Sequence, residues 1–134
     1  MVRTRRFGFY ICVLLVLANS QTVSCSKSSG VPNNVAFSYE SDPKPPRIGV
    51  NTFTVSLKST GGERLGGAQV SLEGDMSHAG MSPVFGETRE IVPGRYQGTL
   101  NFNMRGDWTV LFHIKLANGE TFDRQVELRN IQAT

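Results

Sequence analysis

Cysteine is nearly absent from this sequence of 134 residues, which contains only two. Cys12 lies inside an apolar N-terminal run, and Cys25 follows that run. Once the run is removed, a single cysteine remains and no intramolecular disulfide can form. Hydrophobic packing alone must then hold the domain together.

Signatures of catalysis are also missing. Gly61-Gly62 and Gly66-Gly67 lie between two predicted strands rather than before a helix, so they do not form a phosphate-binding loop. Asp75 and His78 stand near serines, but no nucleophile elbow or oxyanion feature accompanies them. The sequence therefore predicts a protein that is not an enzyme.

The chain that follows the N-terminal run has no net charge. The formal net charge of +3 comes from fourteen basic and eleven acidic residues. Arg3, Arg5 and Arg6 account for all of it, because no acidic residue precedes Glu40. The remainder is neutral, which gives no indication of nucleic-acid binding.

The N-terminus has the layout of a secretory signal. Three arginines precede the apolar run Phe7–Ala18, and small polar residues follow it. The run is shorter than the roughly 20 apolar residues that a membrane-spanning helix needs. We therefore predict a signal peptide over residues 1–24 and an extracytoplasmic location, in the periplasm or at the cell surface.

Two cleavage positions fit this signal. Cleavage before Cys25 resembles the processing of a bacterial lipoprotein, with a lipid on the cysteine, although Thr22 stands where that pattern favours leucine. Cleavage after Ser20 fits the small residues Ala18 and Ser20. The lipoprotein interpretation explains the lone cysteine, and it predicts a domain anchored to a membrane through Cys25.

The rest of the chain alternates with the period of β-strands. Residues 25–48 predict a tether with a first edge strand near Val35–Tyr39, and residues 49–134 predict the main domain. Asn118-Gly119 is a strong hairpin signal. About seven short strands without a helical period predict an all-β, immunoglobulin-like antiparallel β-sandwich, in which Trp108 fills the core in place of a disulfide.

One segment, Gly74–Pro83, concentrates side chains that bind soft metals. Met76, His78 and Met81 fall within six positions of each other. Thioether sulfur prefers Cu(I), and imidazole binds either oxidation state of copper. The segment therefore predicts a copper site in a loop.

Strand direction adds a fourth candidate ligand. If consecutive strands are antiparallel, the connection that contains Met104 lies at the same end as the Met/His segment. His113 is excluded from the set, because it lies about 17 Å along the strand from Trp108 and its parity points outward. The predicted metal ligands are thus Met76, His78, Met81 and Met104.

A second interpretation of these residues stays open. Methionine often fills irregular gaps at the edge of a core, and a single loop histidine is usually solvated. On that interpretation the domain binds no metal and uses the loop or a strand edge to dock a membrane complex.

Four segments together resemble the YtkA-like family, which is close to FixH-like proteins. They are GVNTFTV (Gly49–Val55), GAQVSL (Gly67–Leu72), PGRYQG (Pro93–Gly98) and MRGDW (Met104–Trp108). The resemblance implies an extracytoplasmic Ig-like domain associated with copper handling, metal efflux or oxidase assembly. FixH-like proteins usually carry a true membrane anchor, whereas this sequence predicts a signal peptide or a lipid instead.

These observations predict an exported, lipid-anchored, copper-binding domain that holds or transfers the ion. The alternative is a metal-free interaction module that assists a membrane complex, such as an efflux system or an oxidase under assembly.

Overall fold

The computed structural model describes residues 32–133, which form seven β-strands. The predicted signal peptide, both cleavage positions and Cys25 lie outside the described residues. No helix within residues 32–133 is both long enough and apolar enough to cross a membrane.

The strands follow the alternation of apolar and polar residues. In β2, for example, Phe53, Val55 and Leu57 are fully buried while their neighbours in the sequence are not. The strands are β1 Val35–Asp42, β2 Gly49–Ser59, β3 Gln69–Met76, β4 Val84–Val92, β5 Arg95–Phe102, β6 Gly106–Lys115 and β7 Thr121–Ile131.

The strand order is β1-β2-β5-β4-β3-β6-β7, and every neighbouring pair is antiparallel. Strand β4 belongs to two layers, because its first half pairs with β3 and its second half pairs with β5. The sheet folds over at β4 into a β1-β2-β5 layer and a β3-β6-β7 layer. This is the strand grouping of a seven-stranded immunoglobulin domain, which confirms the predicted sandwich.

Two glycines permit β4 to change layers. A Cβ atom at Gly86 would stand 2.1 Å from the carbonyl oxygen of Thr99, and one at Gly98 would stand 2.5 Å from that of Glu87. No side chain fits at such distances, so the backbones of β4 and β5 approach closely only because both positions are glycine.

The core between the layers is aromatic. Trp108 packs on Phe102 with ring centroids 4.9 Å apart, and Phe53 contacts both Phe102 and Phe112 edge to face. Aliphatic residues complete the core and include Val55, Leu57, Leu72, Leu100, Val110 and Ile114. The prediction that Trp108 fills the interior is confirmed.

The antiparallel order separates the connections into two groups. We call one end of the sandwich the Met/His end. It carries the connections β1–β2, β3–β4 and β5–β6, at residues 43–48, 77–83 and 103–105. The other three connections lie at the opposite end, where the chain also enters β1 at Val35.

Candidate functional site at the Met/His end

The loop within the segment Gly74–Pro83 is shorter than the sequence predicts. Strand β3 continues through Met76, which pairs with Trp108 on β6, so the loop begins at Ser77. The reason is packing, because Met76 alternates inward with Val70 and Leu72 and adds to the core.

The backbone of β6 positions the start of this loop. The register of β6 against β7 shifts between Gly106 and Trp108, which forms a β-bulge. There, the carbonyl of Asp107 accepts hydrogen bonds from the backbone N–H and the hydroxyl of Ser77, at 3.4 and 3.5 Å. The Asp107 carboxylate accepts the N–H of Asn130, which has a left-handed φ of 57°. Through these hydrogen bonds, Asp107 on β6 connects the end of β3 and the strand β7 next to the loop.

The side chains of Met76 and His78 both approach Gly106. A Cβ atom placed on Gly106 would lie 2.9 Å from the Cε methyl of Met76 and 3.9 Å from Cε1 of the His78 ring. Gly106 has a φ of +127°, a backbone conformation that favours glycine. A side chain at this position would collide with the Met76 methyl group, so glycine lets the Met76 side chain lie close to the backbone of β6, near the His78 ring.

The four predicted ligands differ in burial. Met76 is only 6% exposed and belongs to the core, while Met81 is half-buried against it. His78 is exposed, and Met104 is 44% exposed. The carbonyl of Met104 accepts the indole N–H of Trp108 at 3.1 Å. All four residues lie at one end of the sandwich, but packing alone accounts for the position of Met76.

The chemistry of these donors fits a soft cation. Thioethers and one imidazole suit Cu(I), and one side chain of each type, Met76 and His78, approaches Gly106. Within residues 32–133, no three residues among His, Cys, Asp and Glu are arranged to hold a metal ion together.

His113, predicted to be an outward-facing surface residue, lies between two carboxylates. Its Nε2 is 2.8 Å from Glu73 on β3, and its Nδ1 is 2.8 Å from Asp123 on β7. Partial burial by itself would lower the pKa of His113, but the bonds to Glu73 and Asp123 outweigh it and raise the pKa above the ordinary 6.5. Because the two carboxylates bind opposite nitrogens, they do not converge on one ion.

A second polar cluster closes the opposite end. Glu90 accepts the backbone N–H groups of Gly94 and Gly67, at 3.0 and 3.2 Å, and the hydroxyl of Tyr96. These bonds, that of Gly94 above all, lower the pKa of Glu90 although desolvation opposes them. The single proton of the Tyr96 hydroxyl is shared between Glu90 and the carbonyl of Leu65, which lies 2.7 Å from the hydroxyl oxygen, and that oxygen accepts the N–H of Ala68 at 2.9 Å. The sequence gives little signal for this cluster, because its members come from two separate segments, 65–68 and 90–96.

Comparison with known proteins identifies the family. The family model described as YtkA-like matches residues 31–113, which is more than half of the chain. The match includes β1 and ends within β6. No curated protein matches the chain. The chain belongs to the YtkA-like family.

Proposed function

We propose that this YtkA-like domain works outside the cytoplasm and binds Cu(I) at the Met/His end, where it holds the ion or passes it on. One observation supports the proposal above the others. The side chains of Met76 and His78 both approach Gly106, which brings one thioether-bearing and one imidazole-bearing side chain to the same place at this end of the sandwich.

The burial of the four residues suits an ion that exchanges. His78 and Met104 are open to solvent, whereas Met76 and Met81 lie deeper against the core. An ion arriving from solvent would meet the exposed donors first and the buried thioethers afterwards. Because thioethers are neutral and the imidazole binds in its neutral form, binding should weaken as His78 is protonated.

The predicted signal peptide and the lipid on Cys25 set the proposed location. Methionine and histidine cannot form the disulfides that make free thiolates unreliable ligands outside the cytoplasm. A copper site without cysteine is therefore chemically suited to an exported, membrane-anchored domain.

An anaerobic titration with Cu(I) against a competing chromophoric ligand tests the proposal. The variants are His78→Gln, Met76→Leu, Met81→Leu and Met104→Leu, because leucine keeps the volume and removes the sulfur. We expect His78→Gln and Met76→Leu each to weaken Cu(I) binding at least about tenfold, the order of a 1.4 kcal/mol loss.

His113→Gln is the matched control, since it removes the only other histidine of the chain. It should leave the Cu(I) affinity unchanged. The quadruple variant combines the four substitutions of the predicted ligands. If it bound Cu(I) as tightly as the original protein, the site would be excluded.

A second candidate function is metal-free docking of a protein partner. Phe85 on β4 is 70% exposed and lies shortly after the loop at residues 77–83, and Val50 is exposed at the start of β2. Both lie near the Met/His end, and exposed apolar side chains favour protein contacts. Capture of a partner that survives both chelation and the quadruple substitution, but is lost in Phe85→Ser, would favour this function over copper binding.

A further inference from the structure

The side chain of His113 connects all three strands of the β3-β6-β7 layer. It stands on the middle strand, β6, directly opposite Asp123 on β7 and diagonally across from Glu73 on β3. Both of its ring nitrogens lie 2.8 Å from a carboxylate oxygen. One imidazole thus links two neighbouring strands to its own.

The number of protons on the ring decides how many of these links exist. A carboxylate only accepts hydrogen bonds, so each ring nitrogen must carry a proton to bond its partner. The imidazolium has two N–H groups and satisfies both carboxylates. A neutral imidazole has one N–H, and its other nitrogen then presents a lone pair to a negatively charged oxygen.

The charges around the ring favour the protonated form. Glu73 from β3 and Asp123 from β7 contact the ring directly. Glu87 from β4 and Lys115 from β6 line the same shallow concavity, and their opposite charges offset each other. The surroundings are therefore net negative, in agreement with the raised pKa of His113.

We infer that His113 acts as a pH-dependent tie between strands. When protonated, it bonds Glu73 on β3 and Asp123 on β7; when neutral, it loses the bond to Asp123 and so releases this hold on β7. The choice of β7 follows from exposure. The Glu73 side chain is 27% exposed and that of Asp123 is 62% exposed. Losing the bond to the less exposed carboxylate costs more, so a single remaining N–H stays with Glu73.

The location of β7 gives this release a consequence. β7 is the last strand of the sheet order and pairs only with β6. An edge strand that loosens exposes backbone groups to other chains. Because the pKa of His113 is raised in the folded state, the tie is complete below about pH 6.5 and is lost as the pH rises through the folded value. A domain outside the cytoplasm, as proposed above, meets the pH of its surroundings directly.

The test measures two quantities on the folded protein and on Asp123→Asn, Glu73→Gln and His113→Gln. The first is the titration midpoint of the His113 ring, followed by NMR. We expect it to fall by about one pH unit in Asp123→Asn and in Glu73→Gln, because each removes a charged partner. A midpoint that neither substitution lowers would overturn the inference.

The second quantity is the hydrogen-exchange protection of β7, corrected for the intrinsic pH dependence of exchange. Protection should fall severalfold between pH 5.5 and pH 8.5 in the original protein and stay constant in Asp123→Asn and His113→Gln. His78→Gln serves as the matched control and should behave as the original protein. Equal protection of β7 at both pH values in the original protein would contradict the release of this strand.

Discussion

The Cα of Gly86 faces the carbonyl oxygen of Thr99 where β4 passes from one layer to the other, with room for a hydrogen atom but not for a methyl group. This contact allows a single strand to pair on both sides of the sandwich. Substitutions at this position therefore test the topology directly.

Gly86→Ala should be among the most destabilising single changes in the domain. A Cβ atom would stand 2.1 Å from the Thr99 oxygen, so the β4 and β5 backbones must separate. We expect a loss of about 3 kcal/mol or more in the free energy of unfolding, measured by urea denaturation. Gly61→Ala is the control, because its Cβ would make an ordinary contact of 3.6 Å with Ser59. Similar stability of the two variants would refute the close approach.

Met76→Ala and Met104→Ala should separate packing from exposure at the Met/His end. Met76 is buried in the core and its truncation should cost about 2–5 kcal/mol. Met104 is 44% exposed, so its truncation should change the stability by no more than about 0.5 kcal/mol. Thermal and urea unfolding without metal measure both effects. Equal losses would mean that Met76 does not occupy the core as described.

Glu90→Gln should make the protein less sensitive to acid. The pKa of Glu90 is lowered in the folded state, chiefly by the hydrogen bond from the Gly94 N–H. The stability that this carboxylate contributes is present above about pH 4.5 and is lost as the pH falls through the folded value. The difference between the original protein and the variant should therefore be largest at pH 6 and shrink towards pH 3. A difference that stays constant with pH for Glu90→Gln would contradict the assignment.

Asn51→Asp should destabilise the connection between β1 and β2. Asn51 is buried, and its amide nitrogen donates to the carbonyls of Arg47 and Gly49 at 2.6 and 2.8 Å. A carboxylate oxygen in that place would face two acceptors, which we expect to cost about 3 kcal/mol at pH 7. The cost should be smaller near pH 4, because a protonated carboxyl donates one hydrogen bond. Asn101→Asp, exposed on the neighbouring strand β5, should be almost neutral in the same unfolding measurement.

The strands were predictable because the alternation of apolar and polar residues in each strand indicates which of its side chains are buried. Alternation along Phe53–Leu57 and Trp108–Leu116 predicts buried faces that the structure contains. Asn118-Gly119 predicts the β6–β7 hairpin, and Gly119 has the positive φ that this turn requires. These signals are local, so a single sequence is enough to detect them.

Relationships between distant segments were not predictable in the same way. Glu73 and His113 are 40 positions apart and meet only because β3 and β6 pair in one particular register. The change of layer by β4 depends on two glycines whose partners lie on another strand. The predicted cluster of methionines and His78 was predictable in one respect and not in another. Antiparallel order correctly places Met104 at the end that holds Met76 and His78, but the sequence does not reveal that Met76 is a core residue.

The chain enters β1 at the end opposite the Met/His end, so a tether that precedes β1 would attach there. Strands of eleven residues span roughly 35 Å. A lipid on Cys25, as proposed, would attach the molecule near one pole, and the Met/His end would lie at the other pole, about one strand length away. Any protein that exchanges an ion with Met76 and His78 would then approach from the aqueous side, rather than by lateral diffusion along the lipid surface.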